Sequence, residues 1–260
     1  MKILLTNDDG IRALGIWALA AVLAEKHEVI IVAPMKQQSG MSHALSVLRQ
    51  LEFLRIKEEQ IAELMKNHCP NAKIDKSIET WAIDGTPTDC VKIYLEAMVE
   101  GNYPDLVISG INHGSNLATD VLYSGTVGAA LEGFLHEIPS AAISLDIESL
   151  IPFEDAARTS IDYLEKVLEQ KKVFFYNINF PKKYCTNEPE FKFARLGKRD
   201  YINAFQMHKD DVGRTFYRVG GQVYDIDRSE GTDIFVADEG YIAVTPLHTD
   251  MTDHKALKED

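Results

Sequence analysis

The chain has 260 residues, 45% of them hydrophobic, and a formal net charge of −13, which suits one large α/β domain or a domain with an appendage and is short for two full domains. That acidic balance argues against a polyanionic nucleic-acid partner, because such proteins gather Lys and Arg to neutralise phosphates, while a small phosphorylated ligand remains compatible if a bound cation reverses the local field. Three cysteines without CxxC spacing (Cys69, Cys90 and Cys185) read as reduced structural thiols. The opening MKILLTNDDG lacks a signal-peptide pattern and no apolar run approaches the roughly 20 residues of a membrane span, so a cytoplasmic protein without a membrane contact is expected.

In chain order, Ile3 to Thr6 read as a buried strand, followed by the turn signal Asp9-Gly10 and a helix with Ile16, Leu19, Ala20 and Leu23 on one face. Val29 to Val32 form a second strand ending at Ala33-Pro34, which completes a βαβ unit and implies a parallel sheet with a right-handed crossover. Further strands are predicted at Thr80 to Ile83, Asp105 to Ser109 and Ala141 to Leu145, with helices at Cys90 to Met98 and Thr126 to His136. The alternation predicts a doubly wound sheet. In Gly85-Thr86-Pro87-Thr88-Asp89 Thr86 suits an N-cap and Pro87 the first turn, which makes Asp89 a capping residue rather than a catalytic one. Beyond Leu150 a helix from Ala156 to Val167 precedes an extended Val173 to Phe180. The rest is rich in short β-like runs, with Thr215 to Val219 and Gln222 to Tyr224 flanking Gly220-Gly221 as an expected hairpin.

Ligands of open α/β sheets bind beyond the carboxyl ends of the strands, and three polar clusters fall there: Asn7-Asp8-Asp9-Gly10, Gln37-Gln38-Ser39-Gly40 and Ser109-Gly110-Ile111-Asn112. Neighbouring side chains of a regular strand face opposite ways, so Asp8 and Asp9 can share a cation only where the strand turns, and Gly10 permits the turn. Two carboxylates in a low-dielectric cleft repel each other, and one is pushed towards protonation unless a cation removes the conflict. Oxygen ligation by Asp8, Asp9, Ser39 and Asn112 suits a hard ion, Mg²⁺ or Mn²⁺. Gly114-Ser115-Asn116 and Tyr123-Ser124-Gly125-Thr126 add small hydroxyls and an amide, the second group directly ahead of a helix whose free amides and dipole attract phosphate. Capping by Ser124 or Thr126 is compatible with that role. His43 and His113 lie beside these residues as candidate general acids or phosphate contacts. No P-loop, GxGxxG or GxSxG pattern occurs, and the adjacent acids lack the spacing of an aspartyl-phosphate enzyme.

Taken together, ILLTNDDGI at Ile3 to Ile11, VAP with Ser39-Gly40, GTPTDCVK at Gly85 to Lys92, SGINHGSN at Ser109 to Asn116 and YSGTVGAALEG at Tyr123 to Gly133 resemble the SurE family of stationary-phase survival proteins, metal-dependent 5'/3'-nucleotidases. Asn177 to Pro181 and Gly240 to Thr252 extend the resemblance over essentially the whole chain. It implies a phosphoric monoester hydrolase acting on nucleoside monophosphates, with one divalent ion per subunit on Asp8, Asp9, Ser39 and Asn112, of which Asp8, Asp9 and Asn112 also serve catalysis. It assigns the phosphate to Asn116, Ser124, Gly125 and Thr126. It further implies a Rossmann-like, mostly parallel core over residues 1–180 and a smaller β-rich part over residues 181–260, whose hairpin and tail are exchanged between subunits of a homodimer or homotetramer. Gln38 stands where the family usually has a basic residue, and position 113 varies. A non-catalytic nucleotide or phosphate sensor is the rival reading. Base preference, 5' against 3' selectivity and action on short polyphosphate have no motif in the sequence.

Overall fold

In the computed structural model the described residues are 1–73, 77–254 and 256–258. The elements run β1 (Lys2–Thr6), α1 (Leu14–Leu23), β2 (Glu28–Pro34), β3 (Phe53–Arg55), α2 (Glu58–His68), β4 (Ile78–Ile83), α3 (Pro87–Ile93), β5 (Leu106–His113), α4 (Gly125–Leu135), β6 (Ser140–Leu145), α5 (Phe153–Leu168) and β7 (Phe175–Phe180). They continue with β8 (Phe191–Phe193), β9 (Lys198–Ile202), β10 (Phe205–Lys209), β11 (Thr215–Val219), β12 (Gln222–Asp227), α6 (Asp233–Asp238) and β13 (Ile242–Pro246). One sheet has the order β3-β4-β2-β1-β5-β6-β7-β13-β8. Its six central strands, β4 to β7 in that order, are parallel, while β3 and β13 join antiparallel to β4 and β7. The Rossmann-like, mostly parallel sheet expected from the sequence is therefore present.

Strands β1, β2 and β6 are buried along nearly their whole length, as strands covered on both faces must be. Helices α1 and α5 close one face, with Trp17, Leu19, Ala157 and Leu164 packed on Ile3, Leu5 and Ile143. On the other face Val91, Tyr94, Leu95 and Ala129 meet Leu4, Ile30 and Val107. Helix α3 starts with the reciprocal cap read from the sequence, Thr86 Oγ1 accepting from the Asp89 amide at 3.0 Å and Asp89 Oδ2 from the Thr86 amide at 2.8 Å. It passes into a single π-helical turn at Tyr94–Met98, so the expected helix exists with its last turn widened.

The chain steps from β1 to β2 and β4 on one side of β1, then returns to β5 on the other. The strand order therefore reverses between β1 and β5, the position where open α/β sheets bind their ligands. After residue 181 the chain adds β8 and β13 to the same sheet and projects a two-ladder arm, β9 with β12 and β10 with β11. This corrects the expectation for Gly220-Gly221, which do not form the hairpin turn. That turn lies at Asp210 to Gly213, where Asp210 Oδ1 accepts from the amides of Val212 and Arg214 at 3.1 and 2.9 Å. Gly220-Gly221 instead bend the returning strand halfway along the arm. Gly221 has φ +101° and an added Cβ would lie 2.6 Å from the Ile202 carbonyl oxygen, so glycine is required for the bend, not for the reversal. Residues 255, 259 and 260 of the expected oligomerisation tail lie outside the described residues. Among the described residues no helix is long and apolar enough to cross a membrane.

Candidate active site

Strand β1 ends in a turn that Asn7 closes on itself. Its buried Oδ1 accepts from the Gly10 amide at 3.1 Å and its Nδ2 donates to the Gly10 carbonyl at 3.0 Å. Gly10 has φ +92°, and the Ile11 amide donates to the Pro34 carbonyl at 2.8 Å, which locks the turn to the end of β2. Asp8 and Asp9 lie inside this clasp.

The loop after β2 is attached directly to the aspartates. The Gln38 amide donates to the Asp8 carbonyl at 2.7 Å, and Gln37 Nε2 reaches Ser39 Oγ at 3.0 Å and Asp9 Oδ1 at 3.4 Å. Asp9 Oδ2 also accepts from the His113 amide at 3.3 Å, which brings the end of β5 to the same place. There the β5–β6 register shifts: Ser109 pairs with Ala142 and Asn112 with Ser144, so β5 carries one extra residue. A bulge of this kind re-aims the side chains that follow it. Gly110 makes it possible, because an added Cβ would lie 2.3 Å from the Ile143 carbonyl oxygen. Asn112 Nδ2 donates to the Gly114 carbonyl at 2.7 Å, leaving Oδ1 as the accepting end of the amide.

Helix α4 completes the group. Ser124 Oγ accepts from the Val127 amide at 3.1 Å, and Thr126 Oγ1 donates to Asp8 Oδ1 at 2.5 Å. A Cβ on Gly125 would sit 3.0 Å from Asp8 Cβ and 3.2 Å from Asp8 Oδ2. The helix N-terminus and the carboxylate thus approach as closely as a residue without a side chain allows. Capping by Ser124 and a phosphate cradle at the same helix end are compatible, since one capped amide leaves other free donors of the first turn.

Burial raises the Asp8 carboxyl from its ordinary 3.8 to about 6, with the Asp9 charge adding to the effect and the Thr126 hydroxyl opposing it. This is the conflict expected of adjacent acids, and it falls on the more buried member. Hard oxygens from three strand ends, one of them a carboxylate destabilised by burial, form a donor set of the type a divalent cation such as Mg²⁺ or Mn²⁺ takes. Contacts link Asp8, Asp9, Ser39, Gly125 and Thr126 in one cluster, with Asn112 next to the His113 amide that binds Asp9. Asn116 is placed differently. Its Nδ2 donates to Ser144 Oγ, and its main chain bonds the side chains of Asn177 and Asn179, at 2.8 to 3.1 Å, so it ties the loop to β6 and β7.

The His43 ring bonds Glu132 Oε2 at 2.7 Å, which makes it an anchor of the Ser39 loop on α4. Glu132 is 2% exposed, and Glu96, Glu132 and His136 bring ligand atoms within 4.8 Å of one another. Lys92 Nζ lies 2.6 Å from Glu96 Oε1 and 3.0 Å from Glu132 Oε1, so an internal ammonium already neutralises that cluster. Sequence reading missed Glu132, and it placed Asn7 in the polar cluster after β1 without assigning it the clasp. The signal for Glu132 was a carboxylate within the otherwise apolar and small-residue face of Val127 to Gly133.

The profile of the Survival protein SurE family matches residues 3–203. A 5'-nucleotidase SurE of Caldanaerobacter subterraneus subsp. tengcongensis is 40% identical over 263 residues, covering 99% of this chain and 95% of that relative. One from Pelotomaculum thermopropionicum is 43% identical, covering 99% and 93%. The crystal structure of the SurE protein from Aquifex aeolicus superposes with a TM-score of 0.79 at 35% identity, covering 100% of this chain and 98% of that one. A profile match over most of the chain, full-length relatives and a shared architecture lead to one conclusion: the chain belongs to the SurE family.

Proposed function

We propose that the protein is a divalent-metal-dependent nucleotidase that hydrolyses nucleoside monophosphates to nucleoside and phosphate. Its place among 5'-nucleotidase SurE relatives makes it a phosphoric monoester hydrolase. The observation that carries the site assignment is the contact of the α4 N-terminus with Asp8 at the strand-order reversal. In this reading Asp8, Asp9, Ser39 and Asn112 hold one Mg²⁺ or Mn²⁺ per subunit, and when bound such an ion supplies Lewis acidity towards the phosphate oxygens. The first-turn amides of α4, those of Gly125 and Thr126 among them, and the Ser124 hydroxyl hold the non-bridging oxygens, where charge is carried during in-line displacement, while the Thr126 hydroxyl stays on Asp8. Asp9, less buried than Asp8, orients the attacking water. Both aspartates serve as ligands and orienters rather than nucleophiles. Asn116 holds the loop that carries Asn112, and its contribution to phosphate binding is part of the same proposal.

A groove of about 890 Å³ opens beside Ser124, lined by His43, Leu122, Val127, Leu131 and Met251 among others; in this reading it takes the nucleoside. Residues 1–180 carry the chemistry and residues 181–260 the assembly into a homodimer or homotetramer. What supports the assembly is the arm, on which Phe205, Met207, Tyr217, Val219, Val223 and Tyr224 are exposed, an apolar display that lone subunits rarely carry. Incubation with AMP and Mn²⁺ followed by a phosphate assay tests the proposal. Release that is abolished by EDTA and by Asp8→Ala is the expected result; tight nucleotide binding without release identifies a sensor instead.

A further inference from the structure

The segment that leads into the phosphate cradle is tied to the arm through one residue. The main-chain carbonyl of Asp120 accepts from the amides of Tyr123 at 3.0 Å and Ser124 at 3.1 Å, and so sets the position of the residue that caps α4. The carboxylate of the same residue binds β9. Its Oδ2 accepts from Arg199 Nη1 at 3.1 Å and its Oδ1 from the Tyr201 hydroxyl at 2.8 Å. Arg199 is gripped from its other side by Asp225 of β12, with Nε 2.6 Å from Oδ1. Its main-chain amide donates to Thr119 Oγ1 at 2.9 Å, and the Thr119 hydroxyl donates back to the Arg199 carbonyl.

The side chains of Arg199, Asp120 and Asp225 are 12%, 16% and 15% exposed. A charge-assisted pair shielded to this degree holds its geometry better than a surface ion pair, which exchanges freely with water. The same turn has a second tie: Asp233, fully buried, accepts from the Ala118 amide at 2.7 Å and from the Gly197 amide at 2.8 Å. Residues 118–120 are thus fastened to the root of the arm, and Ser124 is linked to them through the Asp120 carbonyl.

We propose that Arg199 is a positioning residue for the phosphate: through Asp120 it fixes the Ser124 end of α4, and the arm is thereby coupled mechanically to the site. The inference rests on the reading of Ser124 to Thr126 as the phosphate cradle. Arg199 touches no reacting atom in it and acts only through Asp120.

The test uses the full chain carrying Arg199→Gln, with inorganic phosphate titrated calorimetrically in the presence of Mn²⁺, AMP kinetics, and amide exchange of Tyr123 and Ser124. The expected result is a rise of about fivefold or more in both the phosphate Kd and the KM, with Mn²⁺ affinity within about twofold. Exchange of the two amides accelerates about tenfold. Arg199→Lys recovers part of the loss, since it keeps the charge but not the fork. Arg228→Gln, which breaks the exposed pair with Asp238 near the arm root, leaves all these readouts unchanged. A folded Arg199→Gln protein with parental phosphate affinity and parental amide protection overturns the proposal. Should that variant not fold, Asp120→Asn and Tyr201→Phe loosen the same contact from its other ends and are read in the same way. Absence of AMP hydrolysis in the parent would sink the nucleotidase reading alone, because phosphate titration and amide exchange decide the coupling independently.

Discussion

Replacing Asp8 by Asn should stabilise the metal-free protein at neutral pH while destroying its activity. Folding carries the Asp8 carboxyl from its ordinary 3.8 to about 6. A carboxyl raised in this way contributes its full share of stability below pH 3.8, and that share is lost as the pH rises through about 6. At about 1.4 kcal/mol per pH unit of displacement, the folded metal-free chain forgoes about 3 kcal/mol at pH 8, of which roughly 2 kcal/mol falls between pH 4.5 and 8. The amide introduced by Asp8→Asn would keep an oxygen for the Thr126 hydroxyl and carry no charge, so it escapes this loss. Urea unfolding in EDTA at pH 4.5, 6, 7 and 8, compared between the parent and Asp8→Asn, isolates the effect, because every other titrating group is common to both chains. The two unfolding free energies should diverge with rising pH in favour of the variant. Adding Mn²⁺ should then restore the parent and leave the variant where it was. If the two curves run parallel across this range in EDTA, Asp8 is not the strained carboxylate described above and its burial is compensated in some other way.

Glu132→Gln should lower stability by about 1 to 2 kcal/mol in thermal unfolding at pH 7, since it removes the buried member of an ion pair with the part-exposed Lys92 and the charged partner of His43. Burial alone would raise the Glu132 carboxyl, but hydrogen bonds from His43 and Lys92 outweigh it and bring it down to about 2. The contribution is therefore present above about pH 4.5 and fades as the pH falls through about 2, where parent and variant should converge. Gly125→Ala places a methyl 3.0 Å from Asp8 Cβ and should cut kcat/KM by about 10-fold to 100-fold with a much smaller change in melting temperature; full activity would show that close approach at this helix end is not needed for turnover. Gly110→Ala meets the Ile143 carbonyl oxygen at 2.3 Å with φ +137° and should cost about 3 kcal/mol or more of stability, read by chemical denaturation.

Much of the fold was legible because its signals are local. Buried strands announce themselves as apolar runs, and the polar residues that terminate them, Asn7 to Gly10 after β1 and Ser109 to Asn112 in β5, mark the carboxyl ends where a doubly wound sheet binds ligands. The reading of Asp89 as a cap rested on Thr86 and Pro87, close by in the chain, and the structure returns both halves of that cap. The misreading of Gly220-Gly221 shows the limit of such signals. Glycine reports that the backbone needs an unusual φ and does not say whether the chain reverses or only bends. The actual reversal carries Asp210 and Gly213, a turn pattern as good as the one chosen, and only the partners β9 and β10 decide between them.

The supporting residues were illegible for a different reason. The Asn7 clasp is local, closing on Gly10 three residues on, but the work of Glu132 and Asp120 is defined by groups distant in sequence: Glu132 meets His43 across 89 residues and Asp120 meets Arg199 across 79. No local pattern encodes these pairings. Yet they set the relative placement of the oxygens that the sequence did reveal. Asp8 and Asp9 are fixed by the Asn7 clasp, Ser39 by the loop that His43 pins to α4, and Ser124 by the carbonyl of Asp120. The sheet fixes the three strand ends relative to one another, while these ties fix the turns, the Ser39 loop and the helix that carry the oxygens beyond it. Catalysis by positioning falls steeply with displacements of about 1 Å, so in the proposed reading the ties bear on turnover without contacting the phosphate. Substitutions at His43, Glu132, Asp120 and Arg199 should therefore separate from ordinary destabilising changes by lowering kcat/KM more than their effect on melting temperature accounts for.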